Sequence, residues 1–187
     1  MTVKINVEYE VKVIDNKTGR IVKAVKGKSK TFNMNFARLL GLLFQRGDVG
    51  ASISATDTGG VGRTFSNNTS ANPLNVSTSA GNKLKLHIGS SNAPFDRSHY
   101  DMQALIATFD YSTWSLTDDG TKVKVDISGS WINPGPAVTV REIGFDVVFS
   151  DSGYYLRRIL LARDVIPDTI VDTGRTIAVA YSITIPF

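Results

Sequence analysis

The side chains best suited to catalysis lie close together near the middle of the chain. His87 and His99 are its only two histidines, and Ser90, Ser91 and Asp101 are their neighbours in the sequence. A serine, a histidine and an aspartate can form a catalytic triad, in which the imidazole removes the hydroxyl proton and the carboxylate orients the imidazole. The sequence pattern of a nucleophile elbow is absent, however, and spacing alone does not identify a triad. We therefore predict structural roles for both histidines and keep a hydrolase as the third hypothesis.

The remaining motifs also favour structural roles over reaction chemistry. The chain contains no cysteine, which excludes disulfides and thiolate metal ligands. The glycine-rich stretch Gly59–Thr64 lacks the Lys-Ser/Thr ending of a phosphate-binding loop, and Asp118 and Asp119 are typical turn residues. Glu142 beside Arg141 in a strand indicates a buried or cross-strand ion pair. We predict that the protein is not an enzyme and holds neither a metal nor a cofactor.

The aromatic residues indicate another kind of site. Trp114 and Trp131 could present their rings to a sugar, because aromatic rings stack on pyranoses while their polar edges bind hydroxyl groups. Packing in the core explains the same two residues equally well. Both are kept as candidate glycan-facing aromatics.

The elements that would position these residues are mostly β-strands. Between Val138 and Phe187, three apolar runs rich in β-branched and aromatic residues are separated by turn sequences. Thr176–Ile185 alternates apolar with polar residues, which is typical of a strand buried on one face. Val3–Val13 alternates in the same way, and the turn at Asp15–Gly19 indicates a hairpin. Short strands with frequent turns and no βαβ repeat predict a mainly β fold, an antiparallel two-sheet sandwich of the jelly-roll or immunoglobulin-like type.

The strand that begins at Val138 changes phase near its middle. Val138 and Val140 set one phase of apolar residues, whereas Ile143 and Phe145 set the other. Both sets can face the core only if the strand is irregular in between. We predict a β-bulge around Arg141–Glu142.

One stretch, near residues 34–46, has the period of a helix. Its five large apolar residues recur at the three- and four-residue spacing of one helical face. They are Phe36, Leu39, Leu40, Leu43 and Phe44. We expect this amphipathic helix to pack against the sheet or against a neighbouring subunit, and its apolar face is the candidate interface of the chain.

Length and composition indicate a single domain. The 187 residues are enough to bury a core of their own, and residues 1–187 are predicted to form one β-sandwich. Residues 51–82, rich in Ser, Thr, Asn and Gly, are predicted to be a long polar excursion. The net charge of +4 is modest, and the lysines of Lys23–Lys30 favour a solvated strand edge over contact with nucleic acid. No apolar run is long enough for a membrane span or a secretory signal, so no membrane partner is expected.

Several separated stretches resemble one family of proteins. Residues 88–106, IGSSNAPFDRSHYDMQALI, are similar to an element of virion structural proteins from tailed phages and related prokaryotic viruses. In that element an Ile-Gly strand end leads into a polar loop with proline and then into a segment ending in Leu-Ile. Three later stretches resemble the C-terminal part of the same family: residues 140–145 (VREIGF), 160–165 (LLARDV) and 172–185 (DTGRTIAVAYSITI).

The resemblance implies a virion component of the tail, collar, turret or capsid-decoration type, built as a β-sandwich and assembled as a symmetric homo-oligomer. Its partners would be copies of itself and other virion proteins. Residues 51–82 and the lysine-rich N-terminal hairpin depart from the family's pattern, which leaves the position on the particle open. The alternative function is that of a carbohydrate-binding module or receptor-binding tip protein, whose partner would be a host surface glycan.

Overall fold

The computed structural model describes residues 5–29, 52–66, 84–150 and 155–186, which form eleven β-strands. The strands are β1 (Asn6–Ile14), β2 (Ile21–Ser29), β3 (Ser52–Thr56), β4 (Gly62–Ser66), β5 (Lys85–Gly89), β6 (Leu105–Asp110), β7 (Thr113–Asp118), β8 (Lys122–Ile132), β9 (Val138–Ser150), β10 (Leu156–Val171) and β11 (Thr176–Pro186). The predicted mainly β fold is confirmed. The helix predicted near residues 34–46 lies outside the described residues. Within the described ranges, no helix is long and apolar enough to cross a membrane.

The strands form two large antiparallel sheets and one separate hairpin. Sheet A has five strands in the order β2-β1-β11-β8-β7, and sheet B has four in the order β10-β9-β5-β6. The hairpin pairs β3 with β4. The buried apolar residues of both large sheets belong to a common core, so the sheets pack face to face.

Strands β9 and β11 show how the alternating sequence builds this core. Along β11, Ile177, Val179 and Tyr181 are buried, while the residues between them are only partly buried. The ring centroids of Tyr181 and Phe145, on β9, are 4.9 Å apart. The Tyr181 hydroxyl donates a hydrogen bond to Asp164 Oδ2 at 3.1 Å. Burial, together with the Asp164 carboxylate, raises the pKa of Tyr181 well above its ordinary value, so this phenol stays protonated.

Gly129 allows the two sheets to approach where the chain passes from β6 to β7. A Cβ atom at Gly129 would lie 2.6 Å from the Asp110 carbonyl oxygen and 2.8 Å from Leu86 Cδ1. A backbone carbonyl cannot easily move away, so only glycine fits at this point of β8. Strand β6 therefore contacts β8, the neighbour of the edge strand β7.

The β3–β4 hairpin contributes to the core, which the polar composition of residues 51–82 did not predict. Ala55 and Phe65 are fully buried, and the Phe65 ring packs edge-on against Phe149 with centroids 6.3 Å apart. Residues 67–83 lie outside the described residues. The first half of the predicted excursion is therefore a packed hairpin.

The glycine-rich stretch Gly59–Thr64 forms the turn of this hairpin and the start of its second strand, β4, shortly after Asp57. Asp57 Oδ1 accepts hydrogen bonds from the N–H groups of Gly59 at 3.0 Å and Val61 at 2.9 Å, and Arg63 Nε donates to Asp57 Oδ2 at 2.6 Å. Burial pushes the pKa of Asp57 upward, but the Arg63 ion pair and the amide bonds outweigh it and lower that pKa. The Asp57 carboxylate therefore stabilises this stretch as the turn of a hairpin.

Asn133 closes one end of the sandwich. The residue is only 1% exposed, and its Nδ2 donates hydrogen bonds to the carbonyls of Pro136 at 2.8 Å and Val171 at 2.9 Å. The Gly174 N–H donates to the Asn133 carbonyl at 2.8 Å, and Asn16 Nδ2 donates to the Gly174 carbonyl at 2.7 Å. Three connections between strands are thereby joined, and Gly174 adopts a φ of 76° that favours glycine.

Candidate functional site

The outer face of sheet B, which points away from the core, carries charged side chains beneath a loop. Glu142 and Asp146 lie on this face of β9, in alternation with core residues, and are 0% and 1% exposed. Residues 90–104, the β5–β6 loop, cover them. The Ser90 N–H donates to the Ala104 carbonyl at 2.8 Å and closes the base of this loop. The charged groups are therefore shut off from water by local chain.

Glu142 and Arg163 form a buried ion pair that holds the loop. Arg163 is also 0% exposed, and its Nε donates to Glu142 Oε2 at 2.5 Å. The carboxylate also accepts hydrogen bonds from the backbone N–H groups of Ala104 at 2.7 Å and Gln103 at 3.3 Å. Arg163 Nη2 donates to the Ala93 carbonyl at 3.2 Å. The pair thus joins β9 and β10 to both ends of the β5–β6 loop, and the ion pair predicted for Glu142 is confirmed.

The irregular pairing of β9 with β10 determines where this pair forms. The register shifts between Val165 and Thr169, which lie opposite Glu142 and Val140. The irregularity is at the position predicted from the change of phase, although the additional residues belong to β10. Val140 therefore faces the core, while Glu142, the next but one residue, faces the loop on the other side of the sheet.

His99 is part of the same loop and contacts Arg163. Its Nδ1 lies 3.3 Å from Arg163 Nη1 and accepts a hydrogen bond from the Asp96 N–H, also at 3.3 Å. Two donors facing Nδ1 place the ring proton on Nε2, which is the neutral tautomer. Burial lowers the pKa of His99, and the Arg163 guanidinium lowers it further. This imidazole is therefore neutral at pH 7.

The structure does not arrange His99 and Asp101 as members of a triad. In a triad, Nδ1 of the histidine donates to the carboxylate, whereas Nδ1 of His99 is an acceptor. Asp101 Oδ1 accepts a hydrogen bond from the Met102 N–H at 2.8 Å, and Ser91 Oγ accepts one from the Ala93 N–H at 3.1 Å. Burial raises the pKa of Asp101, and the Asp146 and Glu142 carboxylates raise it further. The residues of the hydrolase hypothesis make contacts that shape the loop.

His87 belongs to a second buried group on the same face. It is 5% exposed, and its Nδ1 lies 3.0 Å from Thr108 Oγ1. Its Nε2 lies 3.0 Å from Asp146 Oδ2, but the N–H is not aligned for a hydrogen bond with that oxygen. Asp146 Oδ1 accepts from Arg158 Nη1 at 2.5 Å. In the part of the chain that the structure describes, no group of three or more His, Asp or Glu side chains is arranged to hold a metal ion.

The outer face of sheet A is different, because it is open and carries a groove of about 630 Å³. Ser128, Ala180 and Ser182 lie in the groove, and Glu10 and Lys26 lie along its side. Lys26 Nζ is 3.0 Å from Glu10 Oε1. The groove offers hydroxyl groups and charges of both signs to a ligand.

The aromatic candidates differ in their accessibility. Trp114, on β7, is 54% exposed, whereas Trp131, on β8, packs against the core and is partly buried. Trp114 is therefore the more accessible of the two for a glycan. The candidate interface lies outside the described residues, as do its members Phe36, Leu39, Leu40, Leu43 and Phe44.

Arg163 and Asp146 are the functional side chains that sequence reasoning missed. Each interrupts an apolar strand sequence, LLARDV for Arg163 and GFDVVF for Asp146. A lone charge within such a run is seldom exposed, and buried charges are paired. That signal indicates buried ion pairs but does not identify the partners.

No known protein family, no curated protein and no solved structure matches the chain.

Proposed function

We propose that the protein is a non-enzymatic structural component of a virion, placed in the tail, collar, turret or capsid decoration. One observation carries the proposal. Three of the four stretches that resemble virion proteins are distant in sequence but meet in one cluster, since residues 88–106 contain the β5–β6 loop, residues 140–145 contain Glu142 and residues 160–165 contain Arg163. The resemblance thus follows a physical unit of the fold.

The chemistry of this cluster favours a scaffold over a catalyst. The side chains of Glu142 and Arg163 are fully buried, and both hold backbone groups of the loop. Buried ion pairs can specify one conformation among alternatives. We take this as the role of the pair: it gives the β5–β6 loop a single shape, which a neighbouring subunit or another virion protein can recognise repeatedly.

The path of the chain supports a sandwich of the jelly-roll or immunoglobulin-like type. The chain crosses from sheet B to sheet A between β6 and β7, returns between β8 and β9, and crosses again between β10 and β11. Sandwiches of both types connect their two sheets repeatedly in this way. Proteins of these types supply rigid frames whose loops carry the contacts.

The test is whether the chain is a component of particles. Particles from a culture that carries the coding sequence would be purified on a density gradient and analysed by mass spectrometry and immunogold electron microscopy. We expect the chain to co-sediment with the particles and the gold to label one position on each. Chain found only in the soluble fraction, with unlabelled particles, would overturn the proposal.

The groove on the outer face of sheet A favours a second candidate, a carbohydrate-binding module or receptor-binding tip. Its Ser128 and Ser182 hydroxyls and the Glu10 carboxylate are groups that bind sugar hydroxyls. A glycan array would compare the wild type with Ser182→Val and Trp114→Ala variants. Binding lost with Ser182→Val places the glycan in the groove, binding lost with Trp114→Ala places it at β7, and no binding by the wild type contradicts this candidate.

A further inference from the structure

The four edge strands of the two sheets differ in how they are protected from pairing with another chain. Exposed edges are commonly blocked by lysines, prolines, bulges or shortness. Strand β2 carries Lys23, Lys26 and Lys28, and β10 carries Pro167 and is irregular at two places in its pairing. Strand β6 is irregular where it pairs with the end of β5. Within the described residues, β7 pairs with β8 alone, in unbroken register.

Strand β7 lacks the residues that usually prevent an edge strand from pairing with another chain. Its sequence, TWSLTD, contains neither lysine nor proline, and its one charge, Asp118, is at the end. Trp114 and Leu116 are both 54% exposed. They lie opposite Ile127 and Val125 of β8, so both point to the face of sheet A that bears the core. The edge therefore presents two large apolar side chains on one face.

The backbone of β7 also leaves N–H and carbonyl groups free to bond on the side away from β8. The Asp119 N–H donates to the Lys122 carbonyl, so these residues form a hydrogen-bonded pair. Hydrogen-bonded pairs recur at every second residue of an antiparallel ladder. Thr117 and Ser115 therefore direct their backbone groups towards β8. Trp114 and Leu116, which alternate with them, direct their N–H and carbonyl groups away from the sheet.

We infer that β7 pairs antiparallel with β7 of a second copy of this chain, about a two-fold axis at Ser115. In this register Trp114 of each copy lies opposite Leu116 of the other, and such a pair exchanges both of its backbone hydrogen bonds. An aromatic ring beside a branched aliphatic side chain is a favourable cross-strand pair. The two copies of sheet A then form one continuous sheet.

The length of β7 and the charge of Asp118 at its end favour this register over its neighbours. A shift of one pair in one direction sets Trp114 opposite Asp118 of the other copy. A shift in the other direction leaves only Thr113–Ser115 of each copy paired, because β7 begins at Thr113. The register centred on Ser115 pairs Thr113–Thr117 of the two copies and leaves Asp118 outside the paired segment, so no like charges face each other. The uncharged segment Thr113–Thr117 is therefore complementary to a second copy of itself.

The absence of cysteine from the chain allows a direct test by disulfide formation. In the inferred dimer, Ser115 lies opposite its own copy in a pair without backbone hydrogen bonds, where the Cα atoms are about 4.5 Å apart. A Ser115→Cys variant should form a covalent dimer on mild oxidation. Thr113→Cys is the matched control on the same face, because its two copies would be roughly 13 Å apart, beyond disulfide reach. A mixture of Thr113→Cys and Thr117→Cys proteins should cross-link to each other.

A second experiment removes the contact without touching the core. Trp114→Lys places a charge on the exposed edge, and we expect it to raise the dimer dissociation constant, measured by light scattering over a concentration series, by at least tenfold. Ile132→Lys is the matched control, because Ile132 is also exposed, at 58%, but lies at the end of β8, outside the part that pairs with β7. It should leave the dissociation constant unchanged. Circular dichroism of both variants checks that the fold is retained.

The inferred β7 pairing rests on the proposed function, because a virion component is expected to self-associate. The pairing and the virion role can nevertheless be disproved separately. A wild type that stays monomeric, a Ser115→Cys variant that does not cross-link, or a Thr113→Cys variant that cross-links equally fast would overturn the pairing. A chain that co-sediments with particles but does not cross-link keeps the structural role and loses the pairing. A chain that cross-links at Ser115 but is absent from particles keeps the pairing and loses the virion role.

Discussion

The outer faces of the two sheets carry the same kinds of charged residue in opposite environments. On sheet B, the side chains of Arg163 and Glu142 are both 0% exposed beneath the β5–β6 loop. On sheet A, the side chain of Lys26 is 74% exposed and that of its partner Glu10 is 26% exposed. The first pair also binds backbone groups of the loop, whereas the second lies beside an open groove.

The difference teaches that burial determines what an ion pair does here. An exposed pair is weakened by water and salt, and contributes about 0–1 kcal/mol. A buried pair gains little over an apolar replacement, but removing one partner leaves an uncompensated charge and costs about 3–5 kcal/mol. The pair on sheet B therefore fixes a loop in one conformation, while the pair on sheet A leaves its face free to bind.

The largest effect is expected from Arg163→Met, which leaves the Glu142 carboxylate buried without its cation. We expect the free energy of unfolding, measured with urea, to fall by about 3–5 kcal/mol. The β5–β6 loop should also become a site of protease cleavage, because the contact from Arg163 to the Ala93 carbonyl is lost.

The matched control for this variant is the double change Glu142→Leu with Arg163→Met. It removes both charges, so it should be more stable than Arg163→Met alone. A single variant within about 1 kcal/mol of the wild type would place the pair among ordinary surface pairs. The distinction between the two outer faces would then be wrong.

Gly144→Ala tests how closely the loop covers sheet B. A Cβ atom at Gly144 would lie 2.8 Å from the Ala162 carbonyl oxygen and 2.8 Å from Met102 Sδ, which belongs to the loop. Overpacking of this kind costs about 1–3 kcal/mol of the free energy of unfolding. Ser130→Ala, on the exposed outer face of sheet A, is the control and should change it by less than about 0.5 kcal/mol. Equal effects would mean that the loop does not rest on Gly144.

The strands could be predicted because alternation is a local property of the sequence. Thr176–Ile185 alternates in sequence and Thr176–Tyr181 alternates in burial, and the phase change near Arg141–Glu142 located the irregular pairing of β9 with β10. The β3–β4 hairpin could not be predicted in this way. Its burial depends on Phe65 meeting Phe149, a residue far away in the sequence, and its composition is that of a loop.

The candidate site was less predictable than the fold, for the same physical reason. The pairing of Glu142 with Arg163 requires the register of two strands, and the loop that buries them comes from a third part of the chain. From residue types alone, a catalytic role for His99 and Asp101 remained one of the hypotheses. The direction of one hydrogen bond, from the Asp96 N–H to His99 Nδ1, distinguishes the two roles.

The acid sensitivity of the loop is expected to be a smaller effect. Burial and Arg163 lower the pKa of His99 from its ordinary 6.5, so the unfolded chain takes up this proton first. The contribution of His99 to stability is therefore present above about pH 6.5 and is lost as the pH falls through the lowered pKa. Asp96 and Glu142 oppose this shift. The raised pKa of Asp101 acts in the other direction, because its contribution is present below 3.8 and is lost as the pH rises through the raised pKa.

Thermal unfolding between pH 7 and pH 5 measures this effect. We expect His99→Gln, which keeps a hydrogen-bond acceptor but does not titrate, to flatten the decline in melting temperature towards acid pH. His87→Gln, which changes the other histidine, should retain the part of the decline that His99 contributes. A decline that persists unchanged in His99→Gln would show that another group is responsible.

The smallest effect is expected from Lys26→Met on sheet A, because Glu10 keeps a second cation, Lys12, at 2.8 Å. Hydrogen bonds from both lysines lower the pKa of Glu10, but the groups are exposed to solvent. We expect a loss of less than about 1 kcal/mol, which high salt should reduce further. The loss is measured by urea unfolding at low and high salt, beside Arg163→Met. If Lys26→Met cost as much as Arg163→Met and salt made no difference, the groove would be covered in solution, as the outer face of sheet B is covered by the β5–β6 loop.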